Sequence, residues 1–79
     1  MKQFSPKGVC SRNISFEVID GKVATVKFEG GCNGNLQGIS RLVEGMAVES
    51  VIEKLKGIKC GFKQTSCPDQ LAKALEESI

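Results

Sequence analysis

Histidine, tryptophan and tyrosine are missing from this sequence, and four phenylalanines are its whole aromatic complement. Without histidine no imidazole can ligate a metal or serve as a general base. No apolar run approaches the ~20 residues needed to cross a bilayer, and the amino end, Met1-Lys2-Gln3-Phe4-Ser5-Pro6, lacks the apolar stretch of a secretory signal. Neither sign of charge dominates: the formal charge is +2, and lysines alternate with glutamates along the candidate helices. That mixture leaves no basic stripe for a phosphate backbone. No nucleic-acid partner and no membrane partner are therefore expected, and the expected location is cytoplasmic.

What is present is 79 residues with four cysteines. A chain of this length forms one domain, near the size at which an apolar core alone barely suffices and a metal or disulfide is often recruited. In a reducing compartment an even cysteine count points to metal or redox chemistry before a disulfide framework.

Residues 1–8 read as a flexible arm with little to bury, ahead of a single domain over residues 9–79. Ile14, Phe16 and Val18 then alternate with Asn13, Ser15 and Glu17, as a half-buried strand does. A second strand, Val23 to Phe28, presents Ala24, Val26 and Phe28. Asp20-Gly21 between them is a two-residue hairpin signal, but that register sets Phe16 against Thr25 and Ile14 against Lys27. A three-residue loop with Gly21 left-handed, a type I turn with a glycine bulge, brings Phe16 opposite Ala24 and Ile14 opposite Val26, and is the turn expected.

Glu29 to Asn35 is too rich in glycine for regular structure and reads as a loop able to close around something. It lacks the lysine and glycine spacing of a phosphate cradle. Asn33 or Asn35 then caps a helix from Leu36 to Glu44, with Leu36, Ile39, Leu42 and Val43 as its core stripe and Gly45 as its stop. A second helix, Ala47 to Lys56, carries Val48, Val51, Ile52 and Leu55, and ends at Gly57. Cys60 to Gln64 connects it to a last helix, Pro68 to Glu77, which buries Leu71, Ala72, Leu75 and Ile79. The order implies an α+β fold, with helices over one face of a small antiparallel hairpin sheet. Val48 or Phe62, if exposed, would mark an interface, although single apolar surface residues are ordinary.

Thr65-Ser66-Cys67-Pro68-Asp69 opens the last helix. Proline suits the first helical position and biases the residue before it away from helical angles, so Cys67 is expected as the N-cap and Asp69 as a first-turn carboxylate favouring the dipole. The unpaired N–H groups of a helix start favour thiolate over thiol, which suits metal ligation or nucleophilic chemistry.

All four cysteines lie at element boundaries or in loops, and none on a core stripe: Cys10 before the first strand, Cys32 after the second, Cys60 between helices, Cys67 at a helix start. That placement suggests one shared site, and a zinc ion held by four thiolates is the simplest occupant. The intervals of 21, 27 and 6 intervening residues match no general zinc motif. An iron–sulfur cluster accepts the same ligands, and Cys60 with Cys67 could form a dithiol electron relay.

The five residues Thr65 to Asp69 spell the signature after which the TSCPD domain is named. Joined to Gly31-Cys32-Asn33-Gly34-Asn35 and the four-cysteine frame, the chain resembles the small stand-alone TSCPD proteins. Similar domains form the C-terminal portion of adenosylcobalamin-dependent ribonucleotide reductases, so the resemblance implies a link to deoxyribonucleotide synthesis and a reductase or other protein as partner. The chain has none of the barrel, radical-cysteine loop or cobalamin domain of those enzymes. It is expected to be an accessory module, not a catalyst on its own; in the larger enzymes C-terminal cysteines deliver electrons to the active site, and Cys60 and Cys67 are the positions here to consider for that role. A more distant likeness is to iron–sulfur scaffolds of the IscU and NifU type, where a hairpin precedes a Gly-Cys loop and a cysteine introduces the last helix. Cys10, Cys32 and Cys67 fall at the matching places, and Cys60 replaces a histidine or aspartate.

Overall fold

The hairpin keeps its two-residue turn and resolves the register conflict by other means. Asp20 and Gly21 both have positive φ (53° and 75°), the requirement of a type I′ turn, whose twist matches that of the strands. The strands it joins, β2 (Ser11–Ile19) and β3 (Lys22–Gly30), pair Val18 with Val23 but Glu17 with Thr25, leaving Ala24 as an extra residue. This bulge, not a longer loop, turns Val23 and Val26 toward the same face and sets Phe16 opposite Val26 and Ile14 opposite Phe28. Ala24, expected in the apolar row, is exposed, and Val23 is buried in its place.

A second bulge lies at the far end of β2, where Ser11 pairs with Gly30 and Asn13 with Glu29, so that Arg12 is extra. It reverses the alternation once more. Ser11 is buried near Ile14's side of the strand, and Arg12 is exposed.

The computed structural model describes residues 2–6, 8–9, 11–30 and 33–78. Cys10, Cys32 and Ile79, singled out above, lie outside the described residues. The amino end contributes a strand that periodicity did not reveal: β1 (Lys2–Phe4) pairs antiparallel with β2, Phe4 opposite Ile14, giving a sheet in the order β1-β2-β3. Three residues with one apolar side chain carry too little pattern to be read as a strand, yet Phe4 packs against the core.

Three helices follow: α1 (Asn33–Val43), α2 (Val48–Leu55) and α3 (Cys67–Ser78). Glu29 and Gly30, expected in the glycine-rich loop, finish β3, and Asn33 and Asn35, expected before the helix, lie inside α1. Leu36 and Val43 of α1 are buried, whereas Leu42, expected on the core stripe, is 76% exposed. Val48 and Val51 of α2 are fully buried, so Val48 marks no surface; Phe62 is fully exposed. The turn of the hairpin also starts α2: the Val48 N–H donates to the Gly21 carbonyl at 2.9 Å, satisfying a free donor where Ala47 offers no side-chain cap. Ile14, Phe16, Val23, Val26, Val43, Val48, Val51, Leu71, Ala74 and Leu75 form one core between the sheet and the helices. No helix among the described residues is long and apolar enough to cross a membrane.

Candidate functional site

The start of α3 is fixed by hydroxyls and a carboxylate, not by its thiol. Ser66 Oγ accepts the Asp69 N–H at 3.2 Å, and the Ser66 carbonyl accepts the Gln70 N–H at 2.9 Å. Ser66 is therefore the N-cap, and Cys67, expected in that role, is the first helical residue. The reason is chemical: a hydroxyl oxygen is a good acceptor for the third N–H of a helix and a thiol sulfur is a weak one. Ser66 Oγ also donates to the Ile58 carbonyl at 2.7 Å, tying the helix start to the chain leaving α2.

Asp69 does more than complement the dipole. Its carboxylate is buried and accepts from three directions: the Gly57 N–H at 2.7 Å, the Thr65 hydroxyl, and Lys73 Nζ at 3.4 Å. Thr65 Oγ1 accepts in turn from Gln70 Nε2 at 3.0 Å. Burial alone would push the carboxyl upward, but the hydrogen bonds from Thr65 and Gly57, with Lys73, outweigh it and hold Asp69 below the ordinary carboxylate range. Thr65, Ser66 and Asp69 thus bind α2's exit to α3's start, which leaves Cys67 and Pro68 free to face outward.

They face a cleft of about 200 Å³ that Cys60 also lines. Cys60 is held there by a closed turn, its N–H donating to the Thr65 carbonyl at 3.2 Å and its carbonyl accepting from the Lys63 N–H at 3.0 Å. Both cysteines are free thiols, Cys60 exposed and Cys67 half-buried. Leu36 and Ile39 of α1 supply the apolar wall, Lys63 the one cationic side chain among the described lining residues.

Ser11 reaches Cys67 from the sheet. The bulge at Arg12 turns it toward α3, and its hydroxyl donates to Cys67 Sγ at 3.1 Å. Val9 and Asn35 also line the cleft. Val9, next to Cys10 in sequence, and Asn35, three positions after Cys32, therefore border the space that holds Cys60 and Cys67. Among the described residues no three His, Cys, Asp or Glu side chains gather as a metal-binding group.

A family model for the TSCPD domain matches residues 2–79. The chain belongs to the TSCPD domain family. No curated protein and no solved structure matches it. In this TSCPD chain Thr65, Ser66 and Asp69 build the helix start, and Cys67 and Pro68 border the cleft together with Ser66. Sequence reasoning singled out both described cysteines and did not single out Ser11, Lys63 or the hub role of Asp69. Ser11 gave a weak signal through its adjacency to Cys10. The tie from Asp69 to Gly57 is tertiary and gave none.

Proposed function

We propose that this TSCPD chain is a metal-binding accessory module in which Cys10, Cys32, Cys60 and Cys67 ligate one zinc ion, linked through its family resemblance to ribonucleotide reductase and deoxyribonucleotide synthesis. The observation that carries the reading is the shared cleft: two free thiols face it, Val9 and Asn35, close in sequence to the other two cysteines, border it, and Ser11 donates to Cys67 Sγ.

The residues fit such an ion. Four thiolates around a divalent cation would leave a net negative charge, which Lys63 on the cleft wall would offset in part, and the Ser11 hydroxyl gives Cys67 sulfur a donor of the kind that orients a ligand. Bound zinc would supply cross-linking free energy to a small core, not a reaction. The exposure of Cys60 favours a second reading, an exchangeable iron–sulfur cluster, over a closed structural site. A dithiol relay through Cys60 and Cys67 is the third.

The test is anaerobic purification of the wild type beside Cys32→Ser and Cys67→Ser. Zinc gives a colourless protein whose variants lose metal and melt earlier. A cluster gives visible absorption bleached by air, and unchanged melting in both variants removes the structural metal.

A further inference from the structure

β3 is an edge of the sheet, and among the described residues its outer side is covered at one end. Near the turn the Val23 N–H donates to the Met46 carbonyl at 2.9 Å, and the Val23 carbonyl accepts from the Gly45 N–H at 2.7 Å. Beyond the bulge at Ala24 that cover ends. Ile19 and Lys22 close the two-residue turn as a hydrogen-bonded pair, so the backbone groups of Glu17, Ser15 and Asn13 also face β3, and those of Phe16 and Ile14 face β1. Val26 and Phe28, set opposite Phe16 and Ile14, therefore point their N–H and C=O groups outward. No described residue bonds to those groups, and an unpaired edge is a template for another strand. The stretch also borders a cleft of about 310 Å³ whose other wall is α1. At the opposite edge β1 offers three residues.

The side chains say what pairs there. Lys27 and Glu29 are exposed on one face, across from the neutral Ser15 and Asn13, and among the described residues neither is in an ion pair. Phe28 between them turns to the core side and is half-buried. We infer that β3 pairs antiparallel with β3 of a second copy of the chain, about a twofold axis at Phe28. That register sets Lys27 of each copy against Glu29 of the other, so one strand supplies both halves of its charge match. The outward groups of the two Phe28 residues bond to each other, and Val26 falls opposite Gly30, which has no side chain to crowd it. The two Phe28 rings lie side by side where the cleft leaves them room. Registers centred on Lys27 or Glu29 set like charges directly opposite. A strand from another protein needs a Lys-x-Glu pattern in antiparallel register, which this chain supplies itself. The inference does not depend on the metal.

The test is sedimentation equilibrium of the full chain in reductant, from micromolar to millimolar, because a short strand pair makes a small, concentration-dependent interface. The wild type should dimerise. Lys27→Glu and Glu29→Lys should each weaken the dimer by about tenfold, and an equimolar mixture of the two variants should associate at least as tightly as the wild type, since every facing pair is again of opposite sign. Leu42→Asp, at an exposed apolar residue outside this cleft, should leave the dimer unchanged. Circular dichroism checks that the variants remain folded. Hydrogen exchange should find the Phe28 amide protected in the dimer and open on dilution. A chain monomeric up to millimolar concentration, or a dimer indifferent to both charge variants or dissociated by Leu42→Asp, overturns the inference. So does a mixture that fails to associate, or a Phe28 amide that exchanges freely in the dimer.

Discussion

Asp69 shows how much of this molecule hangs on single polar groups. It is buried with three donors around it, so Asp69→Asn should lower stability at neutral pH by about 1–3 kcal/mol, measured by urea unfolding. The pH dependence has a definite sign. The folded carboxyl lies below its ordinary range, so its contribution is fully present above the unfolded value near pH 4 and is lost as pH falls through the depressed folded one. The Asn variant should therefore be less stable at neutral pH and show a shallower loss below about pH 4. A parallel acid limb in both proteins would show that Asp69 carries no such linkage. Ser11→Ala removes the donor to Cys67 Sγ and should cost about 1 kcal/mol.

At the scale of elements, the alternation of Ile14, Phe16 and Val18 and the stripes of Val48, Val51, Leu71 and Leu75 made the strands and helices legible, because burial repeats at the period of each structure. The bulges did not show. Asp20-Gly21 signalled a two-residue turn, but the apolar pattern contradicted it, and only the extra residue at Ala24 reconciles the two. Gly21 has a left-handed φ and its carbonyl receives the first free N–H of α2. Gly21→Ala should accordingly cost about 1–2 kcal/mol, seen as a lower urea midpoint at unchanged slope. An unchanged midpoint would mean the turn relaxes without strain. Leu42 failed as a core residue for a related reason: a helical stripe is wider than the surface one neighbour covers, so sequence cannot say which edge of it stays wet.

For the whole molecule, a chain of 79 residues with one small core stands to gain much from a cross-link between its sheet and its last helix. The boundary positions of Cys60 and Cys67 were legible in the sequence, whereas the cleft needed tertiary structure: the hydroxyl network that turns Cys67 outward and the bulge that aims Ser11 at it. If zinc occupies that cleft, a chelator should lower the melting temperature on the order of 10 °C or more, reversibly on readdition of zinc. The most direct measurement is metal content of anaerobically purified protein together with a thiol titration before and after chelation. The account predicts one zinc per chain and four thiols that react fully only once the metal is removed. Metal-free protein whose four thiols titrate freely, with melting indifferent to added zinc, would contradict it.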